Sequence, residues 1–278
     1  MNNKKHLIAL DLDGTLLTDE KKISTRTKQT VLTAMNEGHI VVIATGRPHR
    51  ASIDYYNELG MTTPMVNFNG ALIHHPKDRT WDFAMHTPMP IKTAHRIIDA
   101  CYDLGVHNIL AEVMDDVYLD TFDQEIIDIF HETKKDSPYI IGNLKEKLTE
   151  DPTSVLIYPK DDHVKQLRDH LNDYHAEVIE HRKWGAPWNI IEIIKKGLNK
   201  AVGLQKIADY YNIPQDRIIA FGDEDNDLEM IEYAGVGVAM GNAISELKNL
   251  SKHQTLTNEE DGIGIFLEDY LNIKTKTV

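Results

Sequence analysis

Residues 7–15 read LIALDLDGT, and this stretch predicts the fold class of the chain. Its first four residues are apolar without alternation, which is typical of a strand buried on both faces of a parallel sheet. Asp11 and Asp13 follow this strand directly, and Gly14 allows a sharp turn after them. Open α/β sheets bind ligands at the carboxyl ends of their strands, so the stretch also predicts a polar site at that edge.

Apolar runs alternate with helical patterns in both outer parts of the chain. Ile40–Ala44 is a second buried run, and the residues before it predict a helix that Ser24 caps and Gly38 ends. Because strands and helices alternate at this spacing, the sequence predicts a doubly wound parallel α/β sheet with a Rossmann-like arrangement. The remaining predicted elements are helices at 48–60, 199–210 and 227–234 and strands at 65–68, 218–221 and 236–240.

The middle of the chain has a different pattern, in which helices and alternating strands are mixed. It predicts helices near 92–104, 123–132 and 163–174 and strands at 107–114, 117–119, 154–158 and 176–181. Pro88 and Pro90 mark its start, and Gly185-Ala186-Pro187 marks its end. We therefore expect an inserted α+β domain at 84–189, and a catalytic core formed by 1–83 and 190–278.

Composition narrows the class of protein and of partner. With 278 residues, 41% hydrophobic and 27% charged, the chain has the composition of a folded globular protein. Its net charge of −14 disfavours nucleic acid and anionic membranes as partners. The apolar run before Asp11 is too short for a signal peptide, so we expect a cytoplasmic protein in which the single cysteine, Cys101, is reduced and buried. No oligomeric state is predicted.

Two acidic clusters follow predicted strands and point to a metal site. Asp11 and Asp13 alternate along an extended chain, so their side chains face the same way, and two such charges need a cation or a proton between them. The pair could supply a nucleophile and a general acid/base. A second cluster, 222–227, reads GDEDND after the strand at 218–221. Oxygen ligands from two strand ends are typical of a Mg²⁺ site.

Phosphate-binding features accompany these acids. Lys200 lies in the first turn of a predicted helix, where its charge opposes the helix dipole and a bound phosphate would offset the cost. Thr45 and Gly46 follow the second strand, where a hydroxyl and free backbone N–H groups can hold phosphoryl oxygens.

These motifs together resemble the Cof-like phosphatases of the haloacid dehalogenase superfamily, which carry a large inserted cap. The resemblance rests on four motifs in order: DLDGT at 11–15, ATGR at 44–47, Lys200 in KGLNK, and GDEDND at 222–227. It implies that Asp11 attacks phosphorus and forms an aspartyl-phosphate, while Asp13 protonates the leaving alcohol and then activates water. It assigns Thr45, Gly46, Lys200 and Asn226 to the phosphoryl group and Asp11, Asp13 and Asp223 to Mg²⁺, with Asp13 offering its backbone carbonyl.

The resemblance leaves some questions open. Asp227 would orient either the metal shell or Lys200. Ala201 and Glu224 depart from the family pattern, and we expect the catalytic reaction to be unaffected by these departures. The leading hypothesis is a Mg²⁺-dependent phosphatase of small phosphorylated metabolites, such as sugar phosphates or cofactor phosphates. The alternatives are a phosphomutase of the same superfamily and a divalent-ion or phosphate-binding module without turnover.

Overall fold

The computed structural model describes residues 5–131, 139–160, 164–175, 179–183 and 190–274. The first part of the chain contains β1 (Leu7–Leu10), α1 (Thr25–Asn36), β2 (Ile40–Ile43), α2 (Ile53–Glu58), β3 (Met65–Asn67), β4 (Leu72–His74) and β5 (Met85–His86). The middle contains α3 (Ile91–Leu104), β6 (Asn108–Val113), β7 (Asp116–Leu119), α4 (Gln124–His131), β8 (Ile140–Ile141), α5 (Leu144–Lys147), β9 (Ser154–Tyr158), α6 (Val164–His175), β10 (Ile179–Lys183) and β11 (Ile191–Lys195). The last part contains α7 (Lys200–Tyr211), β12 (Ile218–Gly222), α8 (Leu228–Tyr233), β13 (Val236–Ala239), α9 (Ser245–Leu250), β14 (His253–Gln254) and α10 (Gly262–Leu271).

The chain divides into two compact units. The first consists of Met1–Gly46, Ile53–Met85 and Asn199–Val278, and the second of Arg47–Ser52 and His86–Leu198. The limits expected from the sequence for the insert, 84–189, remain a prediction. Its expected exit, Gly185-Ala186-Pro187, lies outside the described residues.

A five-stranded sheet forms the centre of the first unit, in the order β14-β13-β12-β1-β2, and every adjacent pair is parallel. Each residue of β1 is completely buried, as the uninterrupted apolar run predicts. Leu10 is in register with Phe221 of β12 and with Ile43 of β2, so these three strands end side by side. The predicted doubly wound parallel α/β fold is confirmed.

Two predicted elements in the first part of the chain are shorter than expected. In place of one helix over 48–60, the structure has a 3₁₀ turn at His49–Ala51 followed by α2. The cause is Ser52, whose hydroxyl donates to the Pro48 and His49 carbonyls and whose φ of −125° is not helical. The strand expected at 65–68 ends at Asn67, because Phe68 has a φ of +49°.

A six-stranded sheet forms the second unit, in the order β10-β11-β9-β6-β7-β8. Its described pairs are antiparallel except for β7 with β8. Apolar side chains of α3 and α6 form one buried cluster with this sheet, and Cys101 belongs to it. Burial raises the pKa of the Cys101 thiol to about 12, so the group is an unreactive core residue. Among the described residues, we find no helix with the length and apolar character needed to cross a membrane.

His39, just before β2, is a buried histidine of the first unit. Its Nδ1 accepts a hydrogen bond from the His6 backbone N–H at 3.1 Å. Its Nε2 is buried without a hydrogen-bond partner in the described part of the chain. Burial lowers the pKa of this imidazole below its ordinary value, because the charged form would lose its hydration.

The buried His39 predicts a loss of stability in mild acid. Below the ordinary histidine pKa of about 6.5, the unfolded chain binds a proton at His39 that the folded chain does not. The free energy of unfolding therefore falls as pH falls through this range. We expect His39→Asn to reduce the fall, since the asparagine Oδ1 can replace Nδ1 as acceptor. Urea denaturation of wild type and variant at neutral and mildly acidic pH measures the free energy of unfolding. An equal fall in both proteins would contradict this role of His39.

Candidate active site

The strand ends of the first unit bring the predicted site residues together. Asp11 follows β1, and its backbone N–H donates to the Phe221 carbonyl at 3.3 Å. Asp223 follows β12 next to it. Thr45 lies two residues beyond β2, where its N–H donates to the Val66 carbonyl at 2.9 Å. Because parallel strands in register end together, residues far apart in the sequence line one edge of the sheet.

Lys200 lies at the centre of this edge, completely buried. Its Nζ donates to Asp11 Oδ1 at 2.7 Å and to Asp227 Oδ1 at 2.7 Å. Burial alone would lower the pKa of Lys200, but the charges of Asp11 and Asp227 outweigh it and raise that pKa. For Asp11 the balance differs: burial raises its pKa well above the ordinary value, against the opposing charge of Lys200. The ammonium of Lys200 is thus held in its charged form between Asp11 and Asp227.

Both carboxylate oxygens of Asp227 are engaged within the protein. Oδ1 accepts from Lys200, and Oδ2 accepts from the backbone N–H groups of Asp223 at 3.0 Å and Glu224 at 3.2 Å. Gly222 permits this approach, because a Cβ there would lie 2.5 Å from the Asp227 Cβ. The contacts of Asp227 therefore orient Lys200 and the backbone that carries Asp223.

A compact group of carboxylates offers a place for a metal ion. Within the ranges that the structure describes, oxygens of Asp11, Asp223 and Asp227 all lie within 4.8 Å of one another, and the three residues are buried. Burial, with the nearby charge of Asp227, raises the pKa of Asp223 to about 7. Three buried carboxylates against one lysine leave an excess of negative charge, which a divalent cation with a preference for oxygen ligands can balance.

Two side chains for which no role was predicted orient Asp223. Thr15 Oγ1 donates to Asp223 Oδ1 at 2.7 Å. Asn242 Nδ2 donates to the Gly14 carbonyl at 2.8 Å and lies 3.5 Å from Asp223 Oδ2. Gly14 has a φ of +71°, and a Cβ there would lie 2.1 Å from Asp223 Oδ2. The glycine of the DLDGT motif thus makes room for the second acidic residue as well as for the turn.

Asn69 connects the residues predicted to hold phosphate. Its backbone N–H donates to the Thr45 carbonyl at 3.1 Å, and its Oδ1 accepts from Asn226 Nδ2 at 3.0 Å. A Cβ at Gly46 would lie 3.1 Å from the Asn69 amide nitrogen. Thr45, Gly46 and Asn226 are therefore grouped around one asparagine. The signal for this turn in the sequence is the Asn69-Gly70 pair, because asparagine and glycine adopt a positive φ more easily than other residues. Both residues have a positive φ in the structure.

Asp13 differs from the buried group in exposure. Its carboxylate is 44% exposed, and Lys21 Nζ lies 2.8 Å from its Oδ1. The turn at Gly14 begins immediately after it. The predicted catalytic pair therefore consists of a buried Asp11 and a half-exposed Asp13, two environments suited to different roles.

Comparisons with known proteins agree with this arrangement. The family model of haloacid dehalogenase-like hydrolases matches residues 8–267. The chain is similar to 5-amino-6-(5-phospho-D-ribitylamino)uracil phosphatase YitU of Bacillus subtilis, with 53% identity over 98% of this chain and 100% of the relative. It is also similar to 5-amino-6-(5-phospho-D-ribitylamino)uracil phosphatase YwtE of the same organism, with 32% identity over 95% of this chain and 98% of the relative.

A solved structure extends the agreement to three dimensions. A haloacid dehalogenase-like hydrolase from B. subtilis superimposes with a TM-score of 0.81 and 26% identity, over 95% of this chain and 99% of that one. Family model, relatives and fold agree along nearly the whole length. The chain belongs to the haloacid dehalogenase-like hydrolases and is a phosphatase of small phosphorylated metabolites.

Proposed function

We propose that this phosphatase hydrolyses 5-amino-6-(5-phospho-D-ribitylamino)uracil. The observation that carries the proposal is the 53% identity, over the full length of the relative, to a B. subtilis enzyme named for that substrate. The second relative bears the same substrate name at 32% identity. The similarity includes the middle of the chain as well as the core, so it covers more than the residues that act on phosphate.

Magnesium is the metal that this site suits. Asp11 and Asp223 would bind it through carboxylate oxygens, and Asp13 through its backbone carbonyl. Hard oxygen ligands and room for phosphate oxygens favour Mg²⁺ over softer metals. When bound, the ion would neutralise charge on the phosphoryl oxygens. Asp227, whose oxygens accept from Lys200 and two backbone N–H groups, would serve to orient Lys200.

The hydrolysis takes place in two steps, the formation and the breakdown of an aspartyl-phosphate. Asp11 attacks phosphorus, the bond from phosphorus to the ester oxygen breaks, and the leaving alcohol takes a proton from Asp13. Water then attacks the aspartyl-phosphate, gives its proton to Asp13, and releases inorganic phosphate and free Asp11. Lys200 supplies positive charge next to the nucleophile throughout.

Four residues would bind the phosphoryl group during both steps. Lys200 contributes its ammonium, Thr45 its hydroxyl, Gly46 its backbone N–H and Asn226 its side-chain amide. The support is their grouping around Asn69 and at the end of β1. Positioning of this kind is the main demand of phosphoryl transfer.

The proposal also concerns the role of the insert, the class of partner and the cellular location. The insert at 84–189 would select among phosphate esters, since the residues proposed for catalysis lie outside it. The net charge of −14 supports a small metabolite as the partner in place of nucleic acid or a membrane. The site of action would be the cytoplasm.

The test is a comparison of phosphate release among metabolites with Mg²⁺ present. We expect kcat/KM for 5-amino-6-(5-phospho-D-ribitylamino)uracil to exceed the values for pyridoxal phosphate, flavin mononucleotide and hexose phosphates by at least about tenfold. EDTA should stop turnover, Mg²⁺ should restore it, and Ca²⁺ should restore little, because its looser shell misplaces the nucleophile. Equal rates with all four classes would contradict the proposed substrate. Transfer within the substrate without phosphate release would indicate a phosphomutase.

A further inference from the structure

Lys21 contacts Asp13, the proposed general acid/base, and no role has yet been proposed for this contact. Its Nζ lies 2.8 Å from Asp13 Oδ1, and each side chain is 44% exposed. An ion pair with this much solvent contact contributes little to stability. Any effect of Lys21 on the reaction therefore acts through Asp13, the group that it contacts.

The backbone at Lys21 is held in a conformation that side chains disfavour. Its φ of +58° lies in the left-handed region, which glycine or asparagine adopts more easily. Two hydrogen bonds hold it there: the Lys21 N–H donates to the Thr18 carbonyl at 2.8 Å, and the Tyr55 hydroxyl donates to the Lys21 carbonyl at 3.0 Å. Unfavourable backbone held by surrounding contacts is concentrated at functional sites.

Two neighbouring lysines of this turn have different partners: Lys21 pairs with Asp13, and Lys22 pairs with Glu20. Lys22 Nζ pairs with Glu20 Oε2 at 2.8 Å, and both of these side chains are more than 70% exposed. The two lysines share a hairpin that Thr18 and Lys22 close, with the Thr18 N–H donating to the Lys22 carbonyl at 2.9 Å. Lys22 is therefore a matched control of the same type, charge and segment.

We propose that Lys21 is a positioning residue for Asp13, which it orients toward the leaving oxygen of the substrate. An ammonium has donors only, so Oδ1 stays an acceptor whether Asp13 is ionised or protonated. The contact thereby favours Oδ2 as the oxygen that carries the transferable proton, since a hydroxyl oxygen is a weaker acceptor than a carbonyl oxygen. An ammonium bound to one oxygen restricts the rotamers that a half-exposed carboxylate adopts, and a misplaced catalytic group lowers the rate. The inference rests on the acid/base role proposed for Asp13.

The experiment compares leaving groups, because only a poor leaving group needs the proton from Asp13. We would measure kcat/KM with Mg²⁺ for 2,4-dinitrophenyl phosphate and phenyl phosphate. We expect Lys21→Met to lower the value for phenyl phosphate about tenfold and that for the dinitro ester less than about twofold. Lys21→Arg should recover most of the loss, and Lys22→Met should match the wild type with both esters. Unfolded protein lowers both rates equally and cancels in their ratio.

Each other outcome has a definite meaning. If Lys21→Met lowers both esters by the same factor, Lys21 acts only through charge or structure and the inference is wrong. It is also wrong if neither rate changes. Asp13→Asn, assayed in parallel, separates this failure from that of the proposed function. Asp13→Asn should lower phenyl phosphate hydrolysis by about 10²–10⁴-fold and the dinitro ester far less. An equal loss with both esters would overturn the acid role of Asp13 itself.

Discussion

Asp11→Asn should release phosphate at less than about one hundredth of the wild-type rate with every substrate, because a carboxamide is a far poorer nucleophile than a carboxylate. The loss should not depend on the leaving group, which distinguishes it from the loss caused by Asp13→Asn. Asp11 lies next to Lys200 at 2.7 Å, and an asparagine oxygen can still accept that hydrogen bond. The fold should therefore persist. Initial rates of phosphate release with Mg²⁺ provide the measurement.

A matched control is available on the loop after β12. Asp225→Asn removes a charge from the acidic GDEDND stretch without changing a residue proposed for the site, so it should retain most activity. Acid quenching followed by mass spectrometry should find a phosphoryl group on Asp11 in the wild type and none in the Asp11 variant. Asp11→Asn activity above about one hundredth of wild type would refute the nucleophile assignment.

Lys200→Met should remove activity and also destabilise the protein. The methionine has similar length but no charge, so Asp11, Asp223 and Asp227 would share one buried space without a protein cation. Breaking a buried ion pair by removing one partner typically costs about 3–5 kcal/mol. We expect a loss of this size in the free energy of unfolding, measured in urea without metal. The loss should shrink at lower pH, because protonation of the carboxylates relieves their repulsion.

Two further variants keep this prediction decisive. Lys206→Met changes a lysine of the same helix that is not part of the site, and it should alter neither activity nor stability by much. The double variant Lys200→Met with Asp227→Asn removes one charge of each sign, so it should recover stability but not turnover. A stable and active Lys200→Met single variant would show that the buried ammonium has neither role.

The folding pattern of the core follows from short-range features of the sequence. β1 occupies the apolar run that the sequence predicts for it, residues 7–10, and α1 begins after Ser24, whose side chain accepts a hydrogen bond from the Thr27 N–H. Such features depend on a few neighbouring residues, since burial sets the run of apolar side chains and capping needs one oxygen. Ser52 shows the limit: its hydroxyl bonds to nearby carbonyls and divides a predicted helix.

Long-range partners of the site were not predictable from the sequence. Thr15 contacts Asp223 across 208 positions, and Asn226 contacts Asn69 across 157. No local periodicity in the sequence predicts a contact between residues so far apart. It depends on the register in which strands meet and on the conformation of each turn, such as the positive φ of Asn69.

The fold class and the chemical types of the site residues follow from the amino-acid sequence, because apolar runs, turn glycines and acidic motifs are local. The folded structure sets the environment of each group. It buried Asp11 and left Asp13 half exposed, and it brought Lys200 to Asp11 across 189 positions. It also gave Asp227 its hydrogen-bond partners, since its oxygens accept from Lys200 and from backbone N–H groups. The physical reason is that burial and hydrogen-bond partners are properties of packed strand ends and turns, which no single segment contains.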